Sequence, residues 1–334
     1  MHTESGGYSL GEHVQRYARV ARVMPAAEWE AHFDLVRDIE RLKRERGAIV
    51  LAHNYQRPEV FHGVADVQGD SLALARDAAR SAAKVIVMCG VRFMAETAKL
   101  LAPGKTVLLP APEAGCSLAE SITPADIRAP RARHPGAPVV CYVNTSAAVK
   151  AECDACCTSA NALEIVESLG AREVIFVPDE YLAAYVAANT HVRIIPWRGR
   201  CEVHERFSGA EVAEYRRATK AYVLAHPECP PDVQLAADYV GSTSGMINAL
   251  SRRRPARAAL ITECSMADNI CSGFPETEFL RPCNLCPHMQ RITLPRIHAA
   301  LTHMQPAIEL PTDVSLAARN CVQRMFDIAA PRAA

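Results

Sequence analysis

Three cysteines stand at equal intervals: Cys116, Cys201 and Cys286 are separated by 85 residues and then by 85 again. Each follows a short apolar segment closed by a proline, in Val107-Leu108-Leu109-Pro110, Arg193-Ile194-Ile195-Pro196 and Phe279-Leu280-Arg281-Pro282. Three strand ends would thus each deliver one thiol. Equivalent positions of a repeated unit can converge on one axis, and three convergent thiolates form a soft ligand set suited to zinc or to an iron-sulfur cluster. A fourth metal position without a cysteine points to chemistry rather than scaffolding. Because the chain has 13 cysteines, some regular spacing arises by chance, and most free cysteines are simply small buried hydrophobes. The matching strand-and-proline contexts weigh for the ligand reading.

A second set of residues recurs with the thiols. His53 and Tyr55, Tyr142 and Asn144, and His226 and Glu228 each sit two apart at the end of an apolar run, where alternate residues of an extended segment point to the same side. A histidine and a carboxylate near a metal can move protons, while Tyr and Asn can fix or polarise a carbonyl. An isolated His-x-Tyr is more often a satisfied polar pair in a loop; threefold recurrence changes that balance. Ser71, Ser159 and the Gly241-Ser242-Thr243-Ser244-Gly245 segment each precede a helical pattern. Helix starts with free N–H groups and hydroxyls suit carboxylate or phosphate, although N-capping alone explains any one of them. Several such starts beside three thiols indicate a small, multiply anionic substrate held over a metal centre.

The elements that must position these groups follow from the hydrophobic pattern. Residues 27–46 carry a helical apolar stripe ending at Gly47. Nine apolar runs, at 48–53, 84–89, 106–109, 139–143, 173–177, 193–195, 221–225, 258–261 and 277–280, read as buried strands, three per repeat. Strands alternating with amphipathic stretches indicate parallel sheets with covering helices, which bind ligands beyond the carboxyl ends of their strands. The repeat extends outside the cysteines: Val50-Leu51-Ala52-His53 answers Val223-Leu224-Ala225-His226, and Ala65-Asp66-Val67-Gln68-Gly69-Asp70-Ser71 answers Ala237-Asp238-Tyr239-Val240-Gly241-Ser242-Thr243. The middle unit is more divergent, with Val140-Cys141-Tyr142-Val143-Asn144 in the first-strand position. Three lobes are expected, over 1–118, 119–205 and 206–291. The helical stretches at 292–303 and 311–329, with 330 as the outer limit, are expected to pack back on the first lobe.

The bulk composition excludes several function classes. Thirty-seven basic residues balance 37 acidic ones, so no overall field favours nucleic acid or an anionic membrane. No run approaches the ~18 apolar residues of a membrane span, and the first 20 residues lack the apolar core of a secretion signal. A cytoplasmic location is expected. An odd number of cysteines without an export signal fits reduced thiols and metal ligation better than a disulfide framework.

At this point the strings resemble the quinolinate synthase family, the iron-sulfur enzymes of de novo NAD synthesis. The resemblance is carried by Ala52-His53-Asn54-Tyr55-Gln56, Gly69-Asp70-Ser71-Leu72, Phe93-Met94-Ala95-Glu96-Thr97-Ala98, Glu113-Ala114-Gly115-Cys116-Ser117-Leu118, Tyr142-Val143-Asn144-Thr145-Ser146, Cys156-Cys157-Thr158-Ser159-Ala160-Asn161, Val203-His204-Glu205-Arg206-Phe207, His226-Pro227-Glu228-Cys229-Pro230 and Gly241-Ser242-Thr243-Ser244-Gly245-Met246. These run in family order from about residue 48 to 300.

The resemblance implies an α/β fold of three pseudo-symmetric αβα lobes around a central site. It also implies a [4Fe-4S] cluster held by Cys116, Cys201 and Cys286, with the fourth iron free of protein thiolate and serving as a Lewis acid. The implied reaction condenses iminoaspartate with dihydroxyacetone phosphate, releases phosphate and water, and closes the ring of quinolinate. L-aspartate oxidase is the implied functional partner. By motif position, His53, Ser71, Tyr142, Asn144, Ser159, His226 and Thr243 would contact substrate or product, with Tyr55, His204 and Glu228 near the reacting groups. Glu228 is the expected general acid/base, since imine tautomerisation and dehydration both need protons moved.

Two features are ambiguous against the family pattern. Cys283-x-x-Cys286 offers two thiols at the third ligand position, and only Cys286 keeps the 85-residue interval and the Cys-Pro-x-Met context. A disulfide between the two would remove a cluster ligand and give oxidative control. Glu202 follows Cys201 where some relatives have proline, which puts only the local loop shape in doubt. The other cysteines, Cys264 among them, are read as structural.

Overall fold

The computed structural model describes residues 8–328. Residues 1–7 and the last part of the expected C-terminal stretch, 329–330, lie outside the described residues. Twelve strands form three four-stranded sheets, all parallel. The first holds β1 (Ala48–His53), β2 (Val67–Gly69), β3 (Val85–Cys89) and β4 (Thr106–Leu108). The second holds β5 (Val139–Tyr142), β6 (Ala155–Cys157), β7 (Glu173–Val177) and β8 (Arg193–Pro196). The third holds β9 (Tyr222–Ala225), β10 (Tyr239–Val240), β11 (Arg257–Ile261) and β12 (Glu278–Leu280).

The nine expected strands are present, and one short strand per sheet was not foreseen: β2, β6 and β10. They are two or three residues long and lie at sheet edges, too short for an apolar period to declare them. Their positions are set by an aspartate that recurs in all three units. Asp66, Asp154 and Asp238 each accept a hydrogen bond from the backbone N–H near the start of the first strand, from Val50 at 2.8 Å, Val139 at 2.7 Å and Val223 at 2.9 Å. Each aspartate's own N–H donates back to the same residue's carbonyl. A cation then neutralises each carboxylate: Lys43, Arg131 and Arg216 respectively.

Strand order is the same in every sheet: second, first, third, fourth. The chain leaves the first strand to one side and returns on the other, so a crevice opens beyond the carboxyl end of each first strand. His53, Tyr142 and His226 all stand three residues after the Val50, Val139 and Val223 anchors, at those crevices.

The two central strands of each sheet are buried along most of their length, as parallel sheets covered on both faces require; β3 and β5 are buried throughout. The first two sheets share one continuous apolar core, whereas the third has separate clusters on its two faces. Residues 27–46 form two helices, Ala26–Ala31 and Phe33–Arg46, the second ending at Gly47, whose φ of 58° only glycine adopts without strain. The helix Leu294–His303 packs on Phe33–Arg46 and β3 of the first unit. The helix Thr312–Ile328 lies instead chiefly on Ala147–Ala151 and β6 of the second unit, and also on Arg92–Leu101 of the first. It buries Ala318, Cys321, Val322 and Met325, which is how two units come to share one core. Among the described residues no helix is long and apolar enough to cross a membrane.

Candidate metal centre and active site

The fourth strand of each sheet is followed by a loop that ends in a thiol. Beyond β8 the chain reaches Cys201 through Gly199, where a Cβ would lie 2.4 Å from the carbonyl oxygen of Pro178. Only glycine lets that loop pass so close. Ser117 ties the first two loops together, donating to the Arg200 carbonyl at 3.2 Å and accepting from Glu202 N–H at 3.1 Å. Asn284 donates to the Val203 carbonyl at 3.4 Å and links the third loop to the second. Of the eleven free cysteines among the described residues, Cys116, Cys201 and Cys286 alone are not fully buried, and all three line one cavity.

The same cavity takes every site residue expected from the sequence: His53, Tyr55, Ser71, Tyr142, Asn144, Ser159, His204, His226, Glu228 and Thr243. The helix caps near it are Asp70, which accepts from Ala73 N–H, and Ser242, which accepts from Gly245 N–H. Ser71 and Thr243 are therefore first helical residues rather than caps, and both line the cavity. Ser159 lies before the helix Ala162–Ser168 and bonds His226 Nε2 at 3.2 Å.

Glu228 is the hub. Its Oε1 accepts from the Tyr142 hydroxyl at 2.5 Å, and its Oε2 lies 2.8 Å from His204 Nδ1. Burial by itself would raise this carboxyl; the neighbouring His204 and His226 rings and the hydrogen bonds from His204 and Tyr142 outweigh it and hold it below the usual carboxylate range. Burial pushes His53 down to about 4 and His226 to about 3, so both rings are neutral at neutral pH. Tyr142 is raised well above the usual phenol value by burial and by Glu228, and keeps its proton. Burial likewise raises Cys116 to about 12 and Cys286 to about 11, so metal binding must displace a proton from each.

Those histidines carry a prediction. Unfolded, each would protonate near 6.5; folded, each resists protonation until about 4 or 3. The unfolded chain therefore binds more protons between those limits, and stability falls as the pH drops through that window. The slope should reach ~1.4 kcal/mol per pH unit for each histidine. Urea titrations of the iron-free chain at pH 7 and pH 5 should show this loss, and His53→Asn should make it shallower. Equal slopes for both chains would count against it.

Several residues in or beside the cavity escaped sequence reasoning. Asp70 accepts from Ser244 at 2.6 Å across the units, and Asn54 donates to Thr243 Oγ1 at 2.9 Å. Glu202, the residue at the ambiguous position, pairs with His288 at 2.9 Å. Glu263, buried and raised to about 7 by that burial, accepts from the Ser265 N–H at 2.8 Å and from the Cys286 N–H at 3.3 Å. It stands at the end of β11, a third strand. The repeat in the sequence drew attention to first and fourth strands only.

The pairing of Cys283 with Cys286 is corrected by the structure. Cys283 is disulfide-bonded to Cys264, and Cys286 is free. A bridge between Glu263 and Asn284, with Cys264 N–H donating to the Asn284 carbonyl, lays the third loop along the end of β11 and brings the two Cα atoms to 5.0 Å. That is ordinary disulfide spacing. Cys283→Ser should leave iron content unchanged and lower stability by about 3 kcal/mol under non-reducing conditions, the value for a loop of this length. Loss of iron in that variant would show that Cys286 is the wrong ligand.

Comparison with known proteins bears on this architecture directly. The sequence profile described as quinolinate synthetase A protein matches residues 37–327. The chain belongs to that family. It is 58% identical over 311 residues to quinolinate synthase 1 of Mesorhizobium japonicum, covering 93% of this chain and 96% of that protein. It is 58% identical over 313 residues to quinolinate synthase of Agrobacterium fabrum, covering 93% and 91%. With quinolinate synthase of Caulobacter vibrioides it shares 52% over 320 residues, covering 94% and 87%. The matched span contains all three sheets and every cavity residue named above.

Proposed function

We propose that this chain forms quinolinate for NAD biosynthesis by condensing iminoaspartate with dihydroxyacetone phosphate, with release of phosphate and water. The observation that carries the reading is the convergence of three cysteines that are not fully buried, one from each repeat, on a cavity that also holds a hydrogen-bonded carboxylate. Cys116, Cys201 and Cys286 would hold a [4Fe-4S] cluster, one iron of which lacks a protein thiolate and supplies a Lewis acid to the cavity. The donor set favours a cluster over one zinc ion held by three thiolates. Zinc–sulfur bonds of about 2.3 Å would gather the sulfurs within ~4.6 Å of one another. The donor atoms that do lie mutually within 4.8 Å are those of Cys201, His204 and Glu228, a set without Cys116 and Cys286. In a cluster each thiolate binds a different iron, so the sulfurs stand farther apart.

The chain's own groups divide the remaining work. Ser71, Ser159 and Thr243 offer hydroxyls to the anionic groups of the substrates, and the neutral His53 and His226 rings add one N–H each without a charge. Asn144 can donate to a substrate carbonyl. Glu228 takes and returns the protons that imine tautomerisation and dehydration require, with Tyr142, Tyr55 and His204 orienting it and the reactants. The reading extends to a transferase-type condensation, to a cytoplasmic site of action and to L-aspartate oxidase as supplier of the imine. The lobe borders at 118 and 205 belong to it too; each span contains one sheet.

A single metal ion on Cys201, His204 and Glu228 is the second reading, supported by the proximity of those atoms. Anaerobic reconstitution with iron and sulfide, followed by metal analysis and a quinolinate assay from the two substrates, separates the two. Iron and sulfide in equal amounts with quinolinate formed is the expected result. One zinc without sulfide, or a fully loaded chain that forms no quinolinate, would refute the proposal.

A further inference from the structure

Lys150 is fully buried and does not line the cavity. It stands on the short helix Ala147–Ala151, and its ammonium reaches back to the segment that joins this helix to β5. Nζ donates to the Val143 carbonyl at 2.7 Å, to the Thr145 hydroxyl at 3.3 Å and to the Thr145 carbonyl. Those two residues flank Asn144, and an ammonium has three N–H groups, so all three serve one turn. The ring of Phe93, a residue of the cavity wall, lies 5.7 Å from the same nitrogen. Its partners are thus oxygens without full charge and an aromatic face rather than a carboxylate.

The turn has a definite shape. Thr145 N–H donates to the Val143 carbonyl at 2.8 Å, which closes a three-residue γ-turn with Asn144 at its centre. Val143 and Asn144 line the cavity, whereas Thr145 is fully buried, so the turn presents Asn144 on the cavity side. Closing it this way brings the Val143 and Thr145 carbonyls together with their negative ends toward one point. Thr145 Oγ1, which donates to the Tyr142 carbonyl at 3.1 Å, adds a third oxygen there. Oxygens gathered out of water need donors among them, and Lys150 supplies those donors with a positive charge. A buried ammonium without a carboxylate is a costly group, and an apolar side chain of similar length would fill the space without that cost. What the ammonium adds is a fixed turn.

We infer that Lys150 is a positioning residue for Asn144: its buried ammonium holds the turn that presents the asparagine amide to the cavity. The inference rests on the reading in which Asn144 meets a substrate carbonyl.

The test pairs Lys150→Met with Asn144→Ala in the iron-loaded enzyme. Methionine keeps the length and loses the three donors. With iron at the wild-type level, kcat of Lys150→Met should fall on the order of a hundredfold, the cost of a misplaced reactive group. Asn144→Ala should lose as much or more. The double variant should then match Asn144→Ala to within about threefold, because one contact cannot be lost twice. A general loosening of the fold would instead multiply the two losses, and that result, or Lys150→Met at wild-type kcat, would overturn the inference.

A measurement without turnover keeps this inference apart from the functional reading. Amide NMR of the iron-free chain, labelled at asparagine nitrogen, should show the Asn144 signal displaced in Lys150→Met. Those of Asn54 and Asn269, in the other two units, should stay in place. An unmoved Asn144 signal would count against the positioning role whether or not quinolinate is made. Should every signal shift because the variant unfolds, Lys150→Gln, which keeps an amide donor, takes its place; unfolding in both assigns Lys150 to the fold alone and ends the inference. A wild-type enzyme inactive toward the two substrates, with the Asn144 signal alone responding to Lys150→Met, would remove the function and leave the turn standing.

Discussion

Replacing Cys201 by serine should give a folded chain that holds little iron and forms quinolinate at less than about a thousandth of the wild-type rate, since a Lewis-acid metal supplies several kcal/mol of transition-state stabilisation. The expectation rests on where this sulfur stands. It belongs to a loop carried past Pro178 by Gly199 and pinned to the first loop through Ser117, so no neighbouring cysteine can swing in to replace it. The remaining free thiols outside the set of three are buried. Serine is nearly the same size and its hydroxyl can accept from the Val203 and His204 N–H groups that face the sulfur, so folding should survive. Iron and sulfide analysis of Cys201→Ser beside Cys157→Ser, whose thiol is buried in β6 away from the cavity, makes the comparison internal. Full iron content in the first variant would remove Cys201 from the ligand set and with it the symmetric arrangement of three thiols.

Glu228→Gln is expected to load its cluster normally and to lose roughly 10²- to 10⁴-fold in kcat, the usual worth of a positioned acid/base group. Glutamine keeps the shape but not the charge, and it replaces one acceptor oxygen by an NH₂ group that only donates. Tyr142 presents an O–H at 2.5 Å on one side and His204 a ring nitrogen at 2.8 Å on the other. With its oxygen kept toward Tyr142 the amide turns its NH₂ toward His204 Nδ1, which can meet it only as an acceptor, so the network that orients His204 and Tyr142 is altered as well. Because the main-chain N–H of Glu228 is separately bonded to His226 Nδ1 at 3.3 Å, the backbone should hold its place. Measuring kcat, KM and iron together decides the matter: a variant with normal iron and undiminished kcat would rule out Glu228 as the proton-moving group.

The parts of the site that could be read in advance share a physical cause. First-strand ends are legible because a buried parallel strand is a run of apolar residues and its end is the first polar residue after it, as with His53 after Ala48–Ala52 and His226 after Tyr222–Ala225. The thiols are legible because the same 85-residue interval and the same apolar-run-and-proline context recur before each of them. Edge strands β2, β6 and β10 are not legible, since two or three residues have no period, yet the aspartates that set them were in plain view as Asp66 and Asp238. Recognising Asp154 as their third counterpart needed the hydrogen bonds to Val50, Val139 and Val223.

What the amino-acid order determined by itself was the threefold plan: parallel α/β units, one thiol after each fourth strand, and a pair of polar groups after each first strand, because local hydrophobic period and spacing are properties of neighbouring residues. What only the tertiary structure decided was which groups meet across units. Tyr142 reaches Glu228, 86 residues away, Thr262 joins Tyr55 to His204, and Cys283 bonds Cys264 rather than Cys286. Such pairings depend on how separately formed sheets pack against one another, and that geometry leaves no periodic trace along the chain.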